Sequence, residues 1–250
     1  MELLHKVRNS FCKFRERIIM NDLELKKMAV EVRKGIVESV HSAKAGHPGG
    51  SLSAADVFTF LYFEEMNIDP KEPKKPDRDR FVLSKGHTAP GLYSALANRG
   101  YFPVDDLLTL RHTGSHLQGH PCVQHTPGID ASSGSLGQGL SVAVGMALSA
   151  KMSDEPWRVY ALLGDGELQE GQIWEAAMFA GHHKLDNLCA VIDNNGLQID
   201  GAMARPQMIK NMRLQWKSLG KQVKHYGRNK KNCNQGQLWQ CTCRTWKRSG

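Results

Sequence analysis

Two groups of residues in this chain have the types and spacing to do chemistry. The first is Asp165, set between Gly164 and Gly166 in "YALLGDGELQEG", with Asn195 thirty residues further on in "VIDNNGLQIDG". Asp and Asn oxygens suit a hard cation such as Mg²⁺, and with one backbone carbonyl they form half an octahedral shell. Phosphate oxygens and water could complete it. Gly-Asp-Gly on its own is equally ordinary turn chemistry. The spacing adds the specificity. A strand, a helix and a strand occupy about thirty residues, so both side chains should stand at neighbouring strand ends, where open α/β sheets bind ligands. The second group is His47, His87 and His120, each in a glycine-bearing loop: "GHPGG", "KGHTAP" and "QGHP". One loop histidine reads as solvated. Three in such loops point to a site, because histidine serves as acid, base or neutral donor near pH 7. His112, His116, His125, His182 and His183 lack that setting and read as surface residues, and Glu167 reads as solvent-facing.

The elements that must position these residues alternate. Apolar residues at helical spacing predict a helix over Leu23–Val40, and "SLSAADVFTFLYFEEM" predicts an apolar helix after a glycine loop. "RFVLSKGH" reads as a short strand running into the His87 loop, and Leu92–Ala97 as helix. "SSGSLGQGLSVAVGMALSAKM" is a glycine loop opening a helix of small residues. Val159–Leu163 and "NLCAVID" are short, continuous apolar runs bounded by turn residues, the mark of buried strands, with a helix over Ile173–His183 between them. Strands alternating with helices imply a doubly wound α/β domain with a largely parallel sheet.

The net charge of +8 belongs to one end of the chain. From Arg205 onward there are twelve Lys/Arg and no Asp or Glu, so residues 1–204 hold 21 basic and 25 acidic residues, a net of −4. No nucleic-acid-binding motif accompanies the basic tail. No apolar run reaches membrane-spanning length, and the amino terminus has no secretory signal. The six cysteines show no framework spacing and read as reduced thiols of a cytoplasmic protein.

Five separated motifs carry a family resemblance: "SAKAGHPGGSLSAAD", "DRFVLSKGH", "LQGHP", "SSGSLGQGLSVAVGMA", and "GDGELQEG" paired with "NNGLQIDG". In this order, over roughly residues 23–201, they resemble thiamine diphosphate enzymes, and transketolases in particular. The resemblance implies a thiamine-diphosphate-binding α/β fold, a largely parallel doubly wound sheet flanked by helices. It implies thiamine diphosphate and Mg²⁺ as cofactors, with Ca²⁺ or Mn²⁺ as substitutes. Asp165, Asn195 and the Leu197 carbonyl would hold the metal. Gly164, Gly166, Gly134, Ser135 and Leu136 would line the diphosphate and thiazolium region, with helix amides behind them favouring anions. His87 would lie beside the cofactor, and His47 and His120 would contact the sugar's hydroxyl and carbonyl oxygens. Glu170 matches a family carboxylate near the subunit interface. Its plainer reading is a helix N-terminal Glu answering the dipole. The implied reaction moves a two-carbon ketol unit from a ketose phosphate to an aldose phosphate.

The family's complete enzyme has a second α/β domain that activates and stacks on the aminopyrimidine, and nothing after Gly201 resembles it. The chain is therefore similar to the N-terminal subunit of split transketolases. A C-terminal partner chain would supply the pyrimidine half in a homodimeric or heterotetrameric assembly, and this chain alone would have no substantial turnover. Residues 21–204 are expected to form the diphosphate-binding domain, with 1–20 an extension and Met20 a natural start. Residues 205–250 read as a divergent basic tail, disordered or frameshifted. "RNKKNCNQGQLWQCTCRTWKRSG" lacks acids, periodicity and plausible strand patterning. Two other readings stand beside this one: a cofactor-binding relic without catalysis, and a deoxyxylulose-phosphate-synthase-like enzyme, against which "ELQEG" and "GHPGG" speak.

Overall fold

The computed structural model describes residues 20–194, and the backbone of 197–198, 201–202, 221–226 and 237–243. Helix α1 (Asp22–Ala43) starts at a capping box: the Asn21 side chain accepts from the Leu23 and Glu24 amides, and Glu24 accepts from the Asn21 amide. It ends at Lys44 in a left-handed conformation. The glycine loop leads into two short helices, α2 (Pro48–Ser53) and α3 (Ala55–Phe60), and a π turn at Leu61–Glu65, in place of one continuous apolar helix. Then follow strand β1 (Arg80–Leu83), helix α4 (Ala89–Arg99) and helix α5 (Gln138–Met152). Strand β2 (Val159–Gly164), helix α6 (Gly171–His182) and strand β3 (Leu188–Asn194) complete the part that carries the chemistry.

Strands β1, β2 and β3 lie side by side and parallel, with Leu83 opposite Leu162 and Gly164 opposite Asp193. Their apolar residues alternate between two cores. Phe81, Leu83, Tyr160, Leu162, Cys189 and Val191 face α1, α3 and α4. Val82, Val159, Ala161, Leu163, Leu188, Ala190 and Ile192 face α5 and α6. Burial on both faces explains why these strands read as unbroken apolar runs. Helices on both faces make the fold doubly wound, as expected. Among the described residues no helix is long and apolar enough to cross a membrane.

Beyond β3 the sheet departs from the expectation. A small antiparallel ribbon pairs β4 (Leu197–Gln198) with β5 (Gly201–Ala202). The main sheet runs β1-β2-β3-β7-β6, with β7 (Gln237–Cys243) antiparallel to β3 and to β6 (Lys221–Tyr226). The parallel part is thus confined to the three strands that carry the site. Strand β7 lies where the sequence showed no strand patterning. Alternation signals one-sided burial, whereas backbone pairing against β3 demands none.

Helix α5 is seated against the end of β1 by a glycine. At Gly139, in the first turn of α5, an added Cβ would meet Ser84 Cα at 2.6 Å and Cβ at 2.7 Å. That contact is with backbone at the end of β1, so it cannot be relieved by rotating a side chain. Gly139→Ala is expected to destabilise the domain by about 1–3 kcal/mol through overpacking, read as a lowered urea midpoint. An unchanged midpoint would mean that α5 does not rest on β1 as described.

Candidate functional site

The carboxyl ends of β1, β2 and β3 form one edge, and every described candidate residue lies at or above it. Asp165 follows β2 directly. It is 2% exposed, its Oδ1 accepts from the Gly166 amide at 3.0 Å, and its own amide donates to the Asp193 carbonyl at 3.2 Å. Its backbone therefore joins two adjacent strand ends. Asn195 lies outside the described residues, and of Leu197 only the backbone is described, as part of β4.

The three histidines predicted to cooperate do converge. The His47 and His87 rings meet edge-on with centroids 5.0 Å apart. His120 lies over Gly134, where an added Cβ would sit 3.4 Å from its Cγ. Gly86, next to His87, packs so closely on the Ser133–Gly134 segment that a Cβ there would lie 2.9 Å from the Gly134 nitrogen. Four loops that are distant in sequence thus share one mouth. His47 and His120 are exposed in it and His87 is partly buried. Burial, with Lys85 and the other two histidines adding to it, lowers the His87 pKa to about 4, so its ring is neutral at physiological pH. His120 is also lowered, by burial first and then by Arg111 and His47.

Behind this mouth lies a layer of buried polar groups that the sequence did not reveal. Lys85 and Asp193 are 1% and 0% exposed and pair at 2.5 Å, joining the ends of β1 and β3. Lys85 also donates to the Gly50 carbonyl, and Asp193 accepts from Ser53 Oγ at 2.8 Å, so the His47 loop is tied to the same pair. They stand 108 positions apart, and no local spacing rule could have paired them.

Glu167 requires a correction. It is 3% exposed rather than solvent-facing. Its Oε1 accepts from Ser84 Oγ and from the Gly137 amide at 2.8 Å, and its Oε2 from the Gly164 amide at 3.0 Å. The 3₁₀ turn Gly166–Gln169 rotates it inward, which helical or strand periodicity cannot anticipate. Burial pushes its carboxyl up from the usual range, opposed by Ser84, the two amides and Lys85. Glu170, by contrast, is exposed at the N-cap of α6 without a capping bond, and packs on Gly137, whose φ of 88° only glycine adopts readily. His116 also departs from a free surface residue: it stands edge-on to Phe102 with its Nε2 3.1 Å from Asp106 Oδ2.

Residues 25–237 match the family described as "Transketolase, thiamine diphosphate binding domain". The chain belongs to the transketolase family. It is 48% identical over 198 residues to the 6-deoxy-6-sulfo-D-fructose transketolase subunit SqwG of Clostridium sp. strain MSTE9, covering 79% of this chain and 72% of that protein. It is 48% identical over 188 residues to one subunit of the apulose-4-phosphate transketolase of Phocaeicola vulgatus, covering 75% of this chain and 66% of that one. Among solved structures, the transketolase of Campylobacter jejuni superposes with a TM-score of 0.74 at 35% identity, over 80% of this chain but 33% of that enzyme. The chain therefore spans about a third of that transketolase and about two thirds of the subunit relatives.

The transketolase domain's residues fit a thiamine diphosphate bound with a cation. The groups at the strand ends include a hard oxygen donor, the Asp165 carboxylate, and the loop facing the histidines is glycine where a side chain would fill the gap beneath His120.

The neutral His87 has a consequence for stability. With a folded pKa near 4 and an ordinary unfolded value, the folded chain binds fewer protons between about pH 4 and 6.5. Stability from this group is therefore lost as pH falls through that window. His87→Gln is expected to flatten the fall in Tm between about pH 7 and 4.5 relative to the parent. Parallel pH profiles would show that His87 is not held neutral.

Proposed function

We propose that this chain is the diphosphate-binding subunit of a two-chain transketolase. In this reading it binds thiamine diphosphate and Mg²⁺ at the carboxyl ends of β1–β3, and transfers a two-carbon ketol unit from a ketose phosphate to an aldose phosphate. The observation that supports it best is the meeting of His47, His87 and His120 with Gly134 above the buried Asp165. Two relatives are themselves transketolase subunits, which supports a partner chain, and in this reading that partner carries the pyrimidine-binding half.

Asp165, Asn195 and the Leu197 carbonyl hold the metal in this reading. The glycines on either side of Asp165, with Gly134, Ser135 and Leu136, face the diphosphate and the ring. Thiamine diphosphate, when bound, would supply the electron sink that side chains lack. The chain's own residues bind, orient and move protons. His87, neutral by burial, presents a ring nitrogen to the cofactor without adding charge. His47 and His120, exposed at the mouth, contact the sugar's carbonyl and hydroxyl oxygens. Because its pKa is lowered, His120 stays unprotonated further into the acid range and can take a proton from a hydroxyl while the bond between the second and third carbons breaks. Glu170, exposed beside Gly137, faces the partner.

The test is a ketol-transfer assay with Mg²⁺ and thiamine diphosphate, run with and without a complementary pyrimidine-domain chain. Turnover is expected only in the mixture, and is expected to vanish on chelation with EDTA. Robust turnover from the single chain would contradict the split arrangement. Cofactor binding without turnover in the mixture would instead favour a non-catalytic relic.

A further inference from the structure

Glu167 is a buried carboxylate two positions beyond Asp165, and the roles assigned to the cofactor and metal ligands leave it unused. Its three bonds go to three different parts of the candidate site. Ser84 follows β1 and opens the His87 loop, Gly164 terminates β2 and precedes Asp165, and Gly137 ends the Ser133–Gly137 loop and caps α5. The same segments are in contact beside it: Gly139 rests on Ser84, and Gly137 rests on Glu170. A carboxylate offers lone pairs to several donors at once, and here each of its three partners is a donor.

We propose that Glu167 is a positioning residue for cofactor binding, whose carboxylate locks the Ser133–Gly137 loop against the end of β2 so that the loop's amides and Asp165 are held ready for the terminal phosphate of thiamine diphosphate. This rests on the functional reading above and deepens it. A glutamine is nearly isosteric but turns one acceptor oxygen into an NH₂ group facing a donor, so at least one of the three bonds fails. The loop then loses its register relative to Asp165, and the groups placed for the diphosphate lose most. The sugar contacts, carried by His47 and His120 on other loops, are touched less, and the thiazolium is common to both ligands compared below.

The experiment compares binding of thiamine diphosphate and thiamine monophosphate, each with Mg²⁺, to the full chain and to Glu167→Gln by calorimetry, with and without a complementary pyrimidine-domain chain. The parent should prefer the diphosphate, and Glu167→Gln should lower the diphosphate-to-monophosphate affinity ratio about tenfold, as expected for one unsatisfied buried donor. A residue that only supports the fold would weaken both ligands alike or lower Tm without changing the ratio, and that result overturns the proposal. Should Glu167→Gln fail to fold, Ser84→Ala carries the test, because it keeps the carboxylate and removes one donor; its ratio should fall about threefold, and an unchanged ratio overturns the proposal. If the parent itself binds neither ligand in either setting, the functional reading fails first, a result distinct from a parent that binds and a variant that binds equally well.

Discussion

The pairing of Lys85 with Asp193 is the contact on which the rest of the site depends. Lys85 leaves the end of β1, crosses the end of β2 above Gly164, and reaches Asp193 at the end of β3. The lysine stem passes within van der Waals reach of Gly164. Both charges are out of water, and removing either partner would take from the other the opposite charge it faces here, at a cost of about 3–5 kcal/mol. Such a pair contributes little to net stability but tolerates few alternative arrangements. Through the Gly50 carbonyl and Ser53 it fixes the His47 loop over the sheet.

A second constraint follows from the parallel sheet. Three strands pointing the same way bring three loops to one edge, and the helices that follow begin there. At this edge the chain places glycines at three close approaches. Gly86 touches the Ser133–Gly134 segment, Gly139 touches Ser84, and Gly137 adopts a left-handed conformation beside Glu170. The charges left at this edge are several carboxylates, Asp165, Glu167 and Asp193, answered locally by Lys85. An edge of that composition favours a cation, and through it a phosphate-bearing ligand.

Much of this was legible in the sequence because the signals were local. The apolar run Val159–Leu163 and the Gly-Asp-Gly after it gave β2 and Asp165 at its end, and the three histidine loops gave the mouth. What stayed hidden depended on orientation or on distance along the chain. Glu167 points inward because a single 3₁₀ turn rotates it, and a residue in such a turn has no periodicity to read. Lys85 and Asp193 meet only once the sheet has formed. Strand β7 comes to β3 from more than forty positions along the chain, a pairing that no local pattern announces. The π turn at Leu61–Glu65 likewise ends what reads as one apolar helix.

The central claim is that the strand ends bind a metal–diphosphate pair through Asp165. Calorimetric titration of thiamine diphosphate into the parent and Asp165→Asn, with and without Mg²⁺ and in the presence of a pyrimidine-domain chain, tests it most directly. The account predicts Mg²⁺-dependent binding to the parent, weakened at least about tenfold in Asp165→Asn, as for the loss of a charged ligand. Equal affinities, or binding indifferent to Mg²⁺, would contradict it.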